Sequence, residues 1–265
     1  MGVRFPLGAH MEKENLILVN AFAANSIILK GLIDYLNNFF KVYYIDLPGF
    51  TKKEAKLSKI TLNNYSKYLE NKINELSLDH FVLGGISFGF IVASNTKLDE
   101  RCKGIFAFEP YTNSKSLLLN KIIIKFITSL IDVVLTFRYQ DTIWKSKLFW
   151  KFLSTIHYPP PKIIPIIRET IDPETFFKVG KIIFKNTKRI NFYSKPYVVL
   201  VNKYDGIVSP DYTVDLFQNN VKNLLIFELD SVHYSDDLSE KYFEKIFPPE
   251  KMKEAVNFFA SNLIK

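Results

Sequence analysis

The segment that decides the fold of this chain is Phe81-Val82-Leu83-Gly84-Gly85-Ile86-Ser87-Phe88-Gly89-Phe90. It is an apolar run that ends in the pattern Gly-x-Ser-x-Gly, and it holds three of the ten glycines in 265 residues. An unbroken apolar run of this length is typical of a parallel strand that is buried on both faces. A serine at a sharp strand-to-helix turn needs small residues two positions before and after it, because side chains there would collide with the reversing backbone. The pattern therefore predicts a strand, then a tight turn that presents the hydroxyl of Ser87, then a helix.

The rest of the chain alternates between strand-like and helix-like stretches. Strand-like apolar runs occur at Leu16–Asn20, Val42–Asp46, Phe81–Ile86, Gly104–Phe108, Tyr197–Asn202 and Leu224–Leu229. Apolar residues recur with helical spacing in Ile27–Phe40, Leu62–Leu76, Asp211–Phe217 and Met252–Ile264. Because the strands are apolar on both faces, we expect an α/β fold: a mostly parallel sheet of about six strands, flanked by helices.

The alternation stops between Tyr111 and Asn191, where long helical patterns and a proline run at 159–161 replace the strand signals. We therefore expect an all-helical insertion at 112–190, between the two parts of an α/β core at 11–111 and 191–265. Residues 1–10 have the composition of an expression remnant or a disordered start, and they are left out of the fold prediction.

The charge and residue counts narrow the classes of partner. The net charge is +8, but the basic residues are spread along the whole chain and form no stripe with stacking aromatics. Dispersed charge gives no nucleic-acid footprint, so we expect no nucleic-acid partner. The four histidines are far apart and there is one cysteine, Cys102. These counts predict no metal site, no internal disulfide and a reducing, cytoplasmic location.

Three side chains with complementary chemistry follow predicted strands at their carboxyl ends, where reactive groups of such sheets gather. Ser87 follows the strand that ends at Ile86, Asp205 lies in the loop after Tyr197–Asn202, and His233 lies in the loop after Leu224–Leu229. A serine hydroxyl needs a base, histidine can take and return a proton near neutral pH, and a carboxylate orients the imidazole. The predicted catalytic residues are therefore Ser87, Asp205 and His233.

The acid has an alternative. Glu109 follows the strand Gly104–Phe108 and is also placed at a carboxyl end. We favour Asp205, because the Asp205-Gly206 turn is well suited to present a carboxylate, but the choice stays open. An oxyanion formed at the serine also needs backbone donors. The candidates are the N–H groups of Phe88, at the start of the next helix, and Phe22, after the first strand.

These motifs resemble the α/β-hydrolase family, in particular its serine esterase, lipase and C–C hydrolase branch with a helical cap. The matching residues are the turn Gly85–Gly89, the segment Asp46-Leu47-Pro48-Gly49-Phe50, Asp205 and His233. The resemblance implies the α/β-hydrolase fold, with the eight-stranded family core reduced to six strands and with 112–190 as the cap. This chain differs from the family pattern at Asn20-Ala21, where His-Gly is usual, and at Val232, where glycine is common before the histidine.

The resemblance implies a hydrolase that cleaves carboxylic esters through an acyl-enzyme intermediate and needs no cofactor. The apolar cap favours a small hydrophobic ester, and we expect some cap aromatics to face the serine. C–C hydrolysis, thioester cleavage and acyl transfer use the same three residues, and a non-catalytic binding protein is a further alternative. A basic, amphipathic cap also suits peripheral contact with an anionic membrane. The sequence does not predict the oligomeric state.

Overall fold

The fold is known from a computed structural model, which describes residues 13–155, 159–187, 190–233 and 235–263. Residues 1–10, the expected remnant, lie outside the described residues. Six strands form one parallel sheet in the order β2-β1-β3-β4-β5-β6. They are β1 (Asn15–Val19), β2 (Lys41–Ile45), β3 (Phe81–Ile86), β4 (Cys102–Phe108), β5 (Tyr197–Asn202) and β6 (Leu224–Leu229). The predicted strands are confirmed, and their ends shift by at most two residues.

The register of the sheet brings the carboxyl ends of the strands to one edge. Gly85 of β3 pairs with Val19 of β1 on one side and with Ala107 of β4 on the other. Phe108 of β4 in turn pairs with Leu200 of β5. The inner strands β3 and β5 are buried along their whole length, as their apolar sequences predict. The loops that follow β1, β3, β4, β5 and β6 therefore lie next to one another.

Eleven α-helices occur in the part of the chain that the structure describes. They are α1 (Lys30–Leu36), α2 (Leu62–Leu76), α3 (Phe88–Ser94), α4 (Lys121–Thr136), α5 (Gln140–Lys145), α6 (Lys147–Thr155), α7 (Ile164–Thr170), α8 (Pro173–Lys185), α9 (Pro210–Asn220), α10 (Glu240–Ile246) and α11 (Pro249–Leu263). The first helix is shorter than the predicted Ile27–Phe40. The side chain of Asn25 accepts hydrogen bonds from the N–H groups of Ile27 and Ile28, which holds this segment in a turn before the helix begins.

Helices α4–α8 all lie between β4 and β5 in the sequence. Asp132 of α4 is bound by Lys181 and Lys185 of α8, at 2.5 and 3.0 Å. Five aromatic side chains of this segment pack against one another: Trp144, Phe149, Trp150, Phe176 and Phe177. The division into a core and a cap at 112–190 stays a prediction. No helix within the described ranges is long and apolar enough to cross a membrane.

Two hydrogen bonds, among other contacts, join the helical segment to the loops of the sheet. The side chain of Asn25 donates a hydrogen bond to Oγ1 of Thr170, at 2.8 Å. The N–H of Asp172 donates to the carbonyl oxygen of Gly49, at 2.9 Å. Gly49 has a φ of +86°, and a Cβ there would lie 2.2 Å from Oγ1 of Thr175. Only glycine fits this contact, because both the backbone conformation and the space exclude a side chain.

Candidate active site

Ser87 lies at the turn between β3 and α3, as the glycine pattern predicts. Its φ of +48° is in a backbone region that residues other than glycine rarely adopt. The backbone of Ser87 is held by Phe108, whose carbonyl oxygen accepts its N–H at 2.9 Å. A Cβ at Gly85 would lie 2.5 Å from Cα of Phe90, and a Cβ at Gly89 would lie 2.4 Å from the carbonyl oxygen of Asn20. Both glycines are therefore required by close backbone contacts.

The structure brings the three predicted catalytic side chains together. Nε2 of His233 lies 3.3 Å from Oγ of Ser87, and Nδ1 lies 2.7 Å from Oδ2 of Asp205. An ionised carboxylate can only accept hydrogen bonds, so Nδ1 carries the proton of a neutral ring. Nε2 is then left as an acceptor for the serine hydroxyl. Side chains that are 146 and 28 residues apart in sequence thus form one hydrogen-bonded line.

Asp205 is held in place by its own loop. Its Oδ1 accepts hydrogen bonds from the N–H groups of Ile207 and Val208, both at 2.8 Å, while Oδ2 faces the imidazole. The loops that carry the acid and the histidine are also joined to each other, since Nδ2 of Asn202 donates to the carbonyl oxygen of Val232 at 2.9 Å. The carboxylate is therefore fixed in direction before any substrate arrives.

Glu109, the alternative acid, faces the same imidazole at a longer distance. Its Oε2 lies 3.7 Å from Nδ1 of His233, so Asp205 and not Glu109 makes the hydrogen bond. The side chain of Glu109 is 21% exposed and its φ is +46°. The pKa of this carboxyl is raised to about 7, mainly by burial and also by the charge of Asp205, against the opposing effect of His233. Sequence reasoning treated the two acids as alternatives and missed that both reach one ring.

The imidazole of His233 is tuned by both carboxyl groups. Burial by itself lowers the pKa of His233, because it disfavours the cation. The charge and hydrogen bond of Asp205 and the charge of Glu109 outweigh this effect, so the pKa of His233 is raised above its ordinary value of 6.5. The protonated form of His233 is thus stabilised, which is what a general base needs when it takes up a proton.

The two predicted oxyanion donors are at the start of α3 and in the loop after β1. Phe88 is the first residue of α3, where the N–H groups have no partner within the helix. Phe22 follows β1, and its ring packs on that of Phe176 of α8 at 4.9 Å. The next residue, Ala23, has a φ of +54°, so the backbone of this loop is also strained. Whether these two amides bind an oxyanion stays a prediction.

Asn20 is a further residue of the site, and sequence reasoning missed its structural role. The side chain is fully buried and donates to the carbonyl oxygens of Ala21 and Ala24, both at 2.9 Å. It also accepts a hydrogen bond from the N–H of Leu47, at 2.8 Å. These bonds fix the loop that contains Phe22. A buried asparagine at the carboxyl end of a strand was the available signal, but it was interpreted only as a departure from the family pattern.

An apolar cavity of about 60 Å³ reaches the serine. Ser87, Glu109 and His233 line it together with apolar side chains that include Leu29, Leu32, Val232, Leu238, Phe243 and Ile246. None of the described residues between 112 and 190 lines this cavity. The expectation that cap aromatics face the serine is therefore wrong for this cavity, because those rings pack mainly against each other. Phe176 instead reaches the ring of Phe22.

No protein-family model matches the chain. Over 97 residues the chain is 31% identical to a pimeloyl-[acyl-carrier protein] methyl ester esterase of Wigglesworthia glossinidia brevipalpis. The match covers 34% of this chain and 34% of that protein, so it spans about a third of the curated relative's length.

Solved structures resemble the chain over nearly its whole length. A hydrolase from Oleispira antarctica has a TM-score of 0.70 at 14% identity, and the match covers 93% of this chain and 92% of that one. An esterase from Thermogutta terrifontis has a TM-score of 0.62 at 19% identity, with 95% and 91% covered. An epoxide hydrolase from Bacillus megaterium has a TM-score of 0.63 at 16% identity, with 96% and 94% covered. The chain has the α/β-hydrolase fold, as the resemblance implied.

Proposed function

We propose that this chain is a serine hydrolase that cleaves carboxylic esters of hydrophobic acyl groups through an acyl-enzyme intermediate. The observation that carries the proposal is the line from Oγ of Ser87 through His233 to Asp205, with contacts of 3.3 and 2.7 Å. The strained turn at Ser87 and the apolar cavity beside it also support the proposal. A protein that only binds a ligand has no physical need for these three groups in this order.

The geometry suggests a role for each group. Nε2 of His233 takes the proton of Ser87 as Oγ attacks the ester carbonyl carbon, and Asp205 stabilises the imidazolium that forms. The N–H groups of Phe88 and Phe22 donate to the oxyanion. The bond to the alcohol oxygen then breaks, His233 returns the proton to that oxygen, and the acyl group stays on Oγ. A water molecule releases the acid by the same steps, so the cycle needs no cofactor.

The acyl group is proposed to occupy the cavity that is lined by Leu29, Leu32 and Phe243. Its small volume favours short acyl chains over long ones. Helices α7 and α8 are proposed to act as part of a cap that excludes water. The contacts of Asn25 with Thr170 and of Phe22 with Phe176 support this role, because they place the helical segment beside the loop after β1.

Other reactions can use the same three residues, and the experiments described below distinguish them from ester hydrolysis. They are thioester cleavage, C–C bond hydrolysis and acyl transfer to an acceptor other than water. The partial similarity to a pimeloyl-[acyl-carrier protein] methyl ester esterase adds one specific candidate, a methyl ester, which releases a small alcohol. A methyl ester therefore belongs in the substrate panel.

The first experiment tests for a nucleophile. Purified protein is treated with a fluorophosphonate probe, and the adduct is located by mass spectrometry. We expect labelling of Ser87 in the folded protein, none after heat denaturation and none in Ser87→Ala. Absence of labelling in the folded protein contradicts catalysis and favours the binding protein.

The second experiment tests the substrate. Hydrolysis of p-nitrophenyl esters is measured over a series of acyl lengths, together with methyl esters of the same acids. We expect turnover that is highest for short acyl chains and is lost in Ser87→Ala. A protein that is labelled at Ser87 but cleaves no ester would instead favour the thioester or C–C alternative.

A further inference from the structure

Helix α4 has two apolar faces, and among the residues that the structure describes only one of these faces is covered. Thr128, Ile131 and Val134 are buried on the side that packs against α8. A second set of large apolar side chains on α4 and at its end is exposed: Ile122, Ile123, Phe126, Leu130, Val133 and Phe137. At 3.6 residues per turn these six positions fall within an arc of about 100°. We call this set the α4 apolar face.

The α4 apolar face is too large and continuous to be incidental. Its side chains are 47–76% exposed, and they follow the whole helix, which is about 24 Å long at 1.5 Å per residue. Single exposed apolar residues are common on protein surfaces, but a contiguous patch of this kind marks a site of contact with another apolar surface. Leu148 and Phe152, one turn apart on α6, are exposed in the same way.

The helices around this face carry an excess of positive charge. Between residues 121 and 155 there are six basic residues and two acidic ones. The basic residues are Lys121, Lys125, Arg138, Lys145, Lys147 and Lys151. Of the two acids, Asp132 is already bound by Lys181 and Lys185 of α8. The surface that accompanies the α4 apolar face therefore favours an anionic partner.

We propose that the α4 apolar face lies in the interface of an anionic lipid bilayer, with the axis of α4 parallel to the bilayer surface. An exposed apolar arc that is accompanied by lysines is the pattern of helices that bind in this way. The apolar side chains would enter the boundary between headgroups and acyl chains. The lysines would extend along that boundary, with their stems on the apolar side and their ammonium groups at the lipid phosphates.

Two other occupants fit the charges less well. A second copy of this chain would bring six basic residues against the same six, and like charges across an interface are unfavourable. For a protein partner, the basic residues would be expected to be mainly arginine, since lysine is depleted in protein interfaces. Here five of the six are lysine. The inference concerns binding alone and holds whether or not Ser87 is a nucleophile.

The test is flotation of the purified protein with vesicles of phosphatidylcholine that do or do not contain phosphatidylglycerol. The test variant is the double change Ile122→Asp and Phe126→Asp. The matched control is Ile27→Asp, because Ile27 is 57% exposed but lies outside the helical segment. The two sites also have the same local backbone contact. The N–H of Ile27 donates to Oδ1 of Asn25, and the N–H of Ile122 donates to Oδ1 of Asn120. All changes are on the surface, so thermal unfolding should be unchanged.

We expect the unaltered protein and Ile27→Asp to float with anionic vesicles, and to float less as salt rises. The double variant should bind at least about tenfold more weakly, because two apolar side chains no longer enter the interface. No flotation of the unaltered protein overturns the proposal. Equal binding by all three proteins also overturns it, since the attraction would then come from net charge alone. A dimer without vesicles that the double variant dissociates would assign the face to a second copy instead.

Discussion

Oε2 of Glu109 lies 3.7 Å from Nδ1 of His233, the same ring nitrogen that lies 2.7 Å from Oδ2 of Asp205. One N–H thus faces two carboxyl groups. Two carboxylates this close to each other are costly to ionise together. Asp205 has two further amide donors, from Ile207 and Val208, which stabilise its charge. Burial raises the pKa of Glu109 to about 7, so this carboxyl is only partly ionised near neutral pH, and its charged form acts on His233 together with Asp205.

This arrangement predicts unequal effects of the two acids on ester hydrolysis. Asp205→Asn should lower kcat by roughly 10³–10⁴-fold, because the imidazole loses its orientation and the charge that stabilises the cation. Glu109→Gln should lower kcat by less than about tenfold, because it keeps the shape and makes no hydrogen bond to the ring. The measurement is steady-state hydrolysis of a p-nitrophenyl ester. The reverse ranking would assign the acid to Glu109.

The pH profile of kcat/KM should report how the carboxyl groups change the pKa of His233. His233 must be neutral to act as a base, so activity should rise with pH through a midpoint above 6.5. The charge of Glu109 raises the pKa of His233, so its removal in Glu109→Gln should move this acidic limb to lower pH. A limb that stays in place, or that moves to higher pH, contradicts an electrostatic contact between the two groups.

The contribution of Glu109 to the stability of the unaltered protein should depend on pH in the opposite sense to that of a paired carboxylate, and Glu109→Gln should lack this dependence. The pKa of Glu109 is about 7 in the folded chain against 4.5 for an unperturbed carboxyl. The folded state binds the extra proton between these values, so the free energy of unfolding falls as pH rises from 4.5 to 7. Glutamine does not titrate. The difference between 4.5 and 7 corresponds to about 3 kcal/mol at most, and the partial exposure of the Glu109 side chain reduces it. The variant should therefore exceed the unaltered protein by about 2 kcal/mol at pH 8 and by little at pH 4.5.

Chemical denaturation at the two pH values checks this difference. A gain of about 2 kcal/mol corresponds to a rise in Tm of roughly 4–8 °C for a chain of this size. An equal change at both values would show that packing, and not the ionisation of Glu109, causes the effect.

Asn20 should affect kcat indirectly, because its side chain fixes the loop that contains Phe22. Asn20→Ala leaves the N–H of Leu47 and the carbonyl oxygens of Ala21 and Ala24 without their side-chain partner. Unsatisfied buried groups should cost about 2–3 kcal/mol of stability. The loosened loop should also lower kcat by roughly 10–100-fold with less change in KM, because the amide of Phe22 is no longer fixed.

A matched control separates these two effects of the change at Asn20. Asn95→Ala also removes a side-chain bond to a backbone carbonyl, that of Ile91, but it lies at the far end of α3. It should lower stability and leave kcat unchanged. Equal kcat values for the two variants would mean that Asn20 has only a structural role.

The sequence predicts those parts of this molecule that depend on local periodicity. The limits of β3 and the sharp turn at Ser87 follow from an apolar run and spaced glycines, and His233 follows from its place after a late strand. The double contact of His233 could not be predicted, because it depends on loops after β4, β5 and β6 that come together only in the folded sheet. The exposed face of α4 was also hidden, since an apolar residue in sequence does not reveal whether anything covers it.

Gly89 should be hard to replace, because its close contacts are with backbone atoms. A Cβ at this position would lie 2.4 Å from the carbonyl oxygen of Asn20 and 2.6 Å from that of Val19. Val19 ends β1 and Asn20 follows it directly, so relief requires α3 to move away from the sheet. Gly89→Ala should therefore destabilise the protein by roughly 2–4 kcal/mol and shift the amide of Phe88 relative to Ser87.

Gly206→Ala is the control for that change, because a Cβ at Gly206 would have no atom of the described residues within 4 Å, although Gly206 directly follows Asp205. It should alter the free energy of unfolding by less than about 1 kcal/mol. Thermal unfolding and fluorophosphonate labelling of both variants give the comparison. If Gly89→Ala matched Gly206→Ala in both measurements, the close packing of α3 on β1 would not be what holds Ser87 in its turn. The strained φ of Ser87 would then need a different cause, such as the hydrogen bond from its N–H to Phe108.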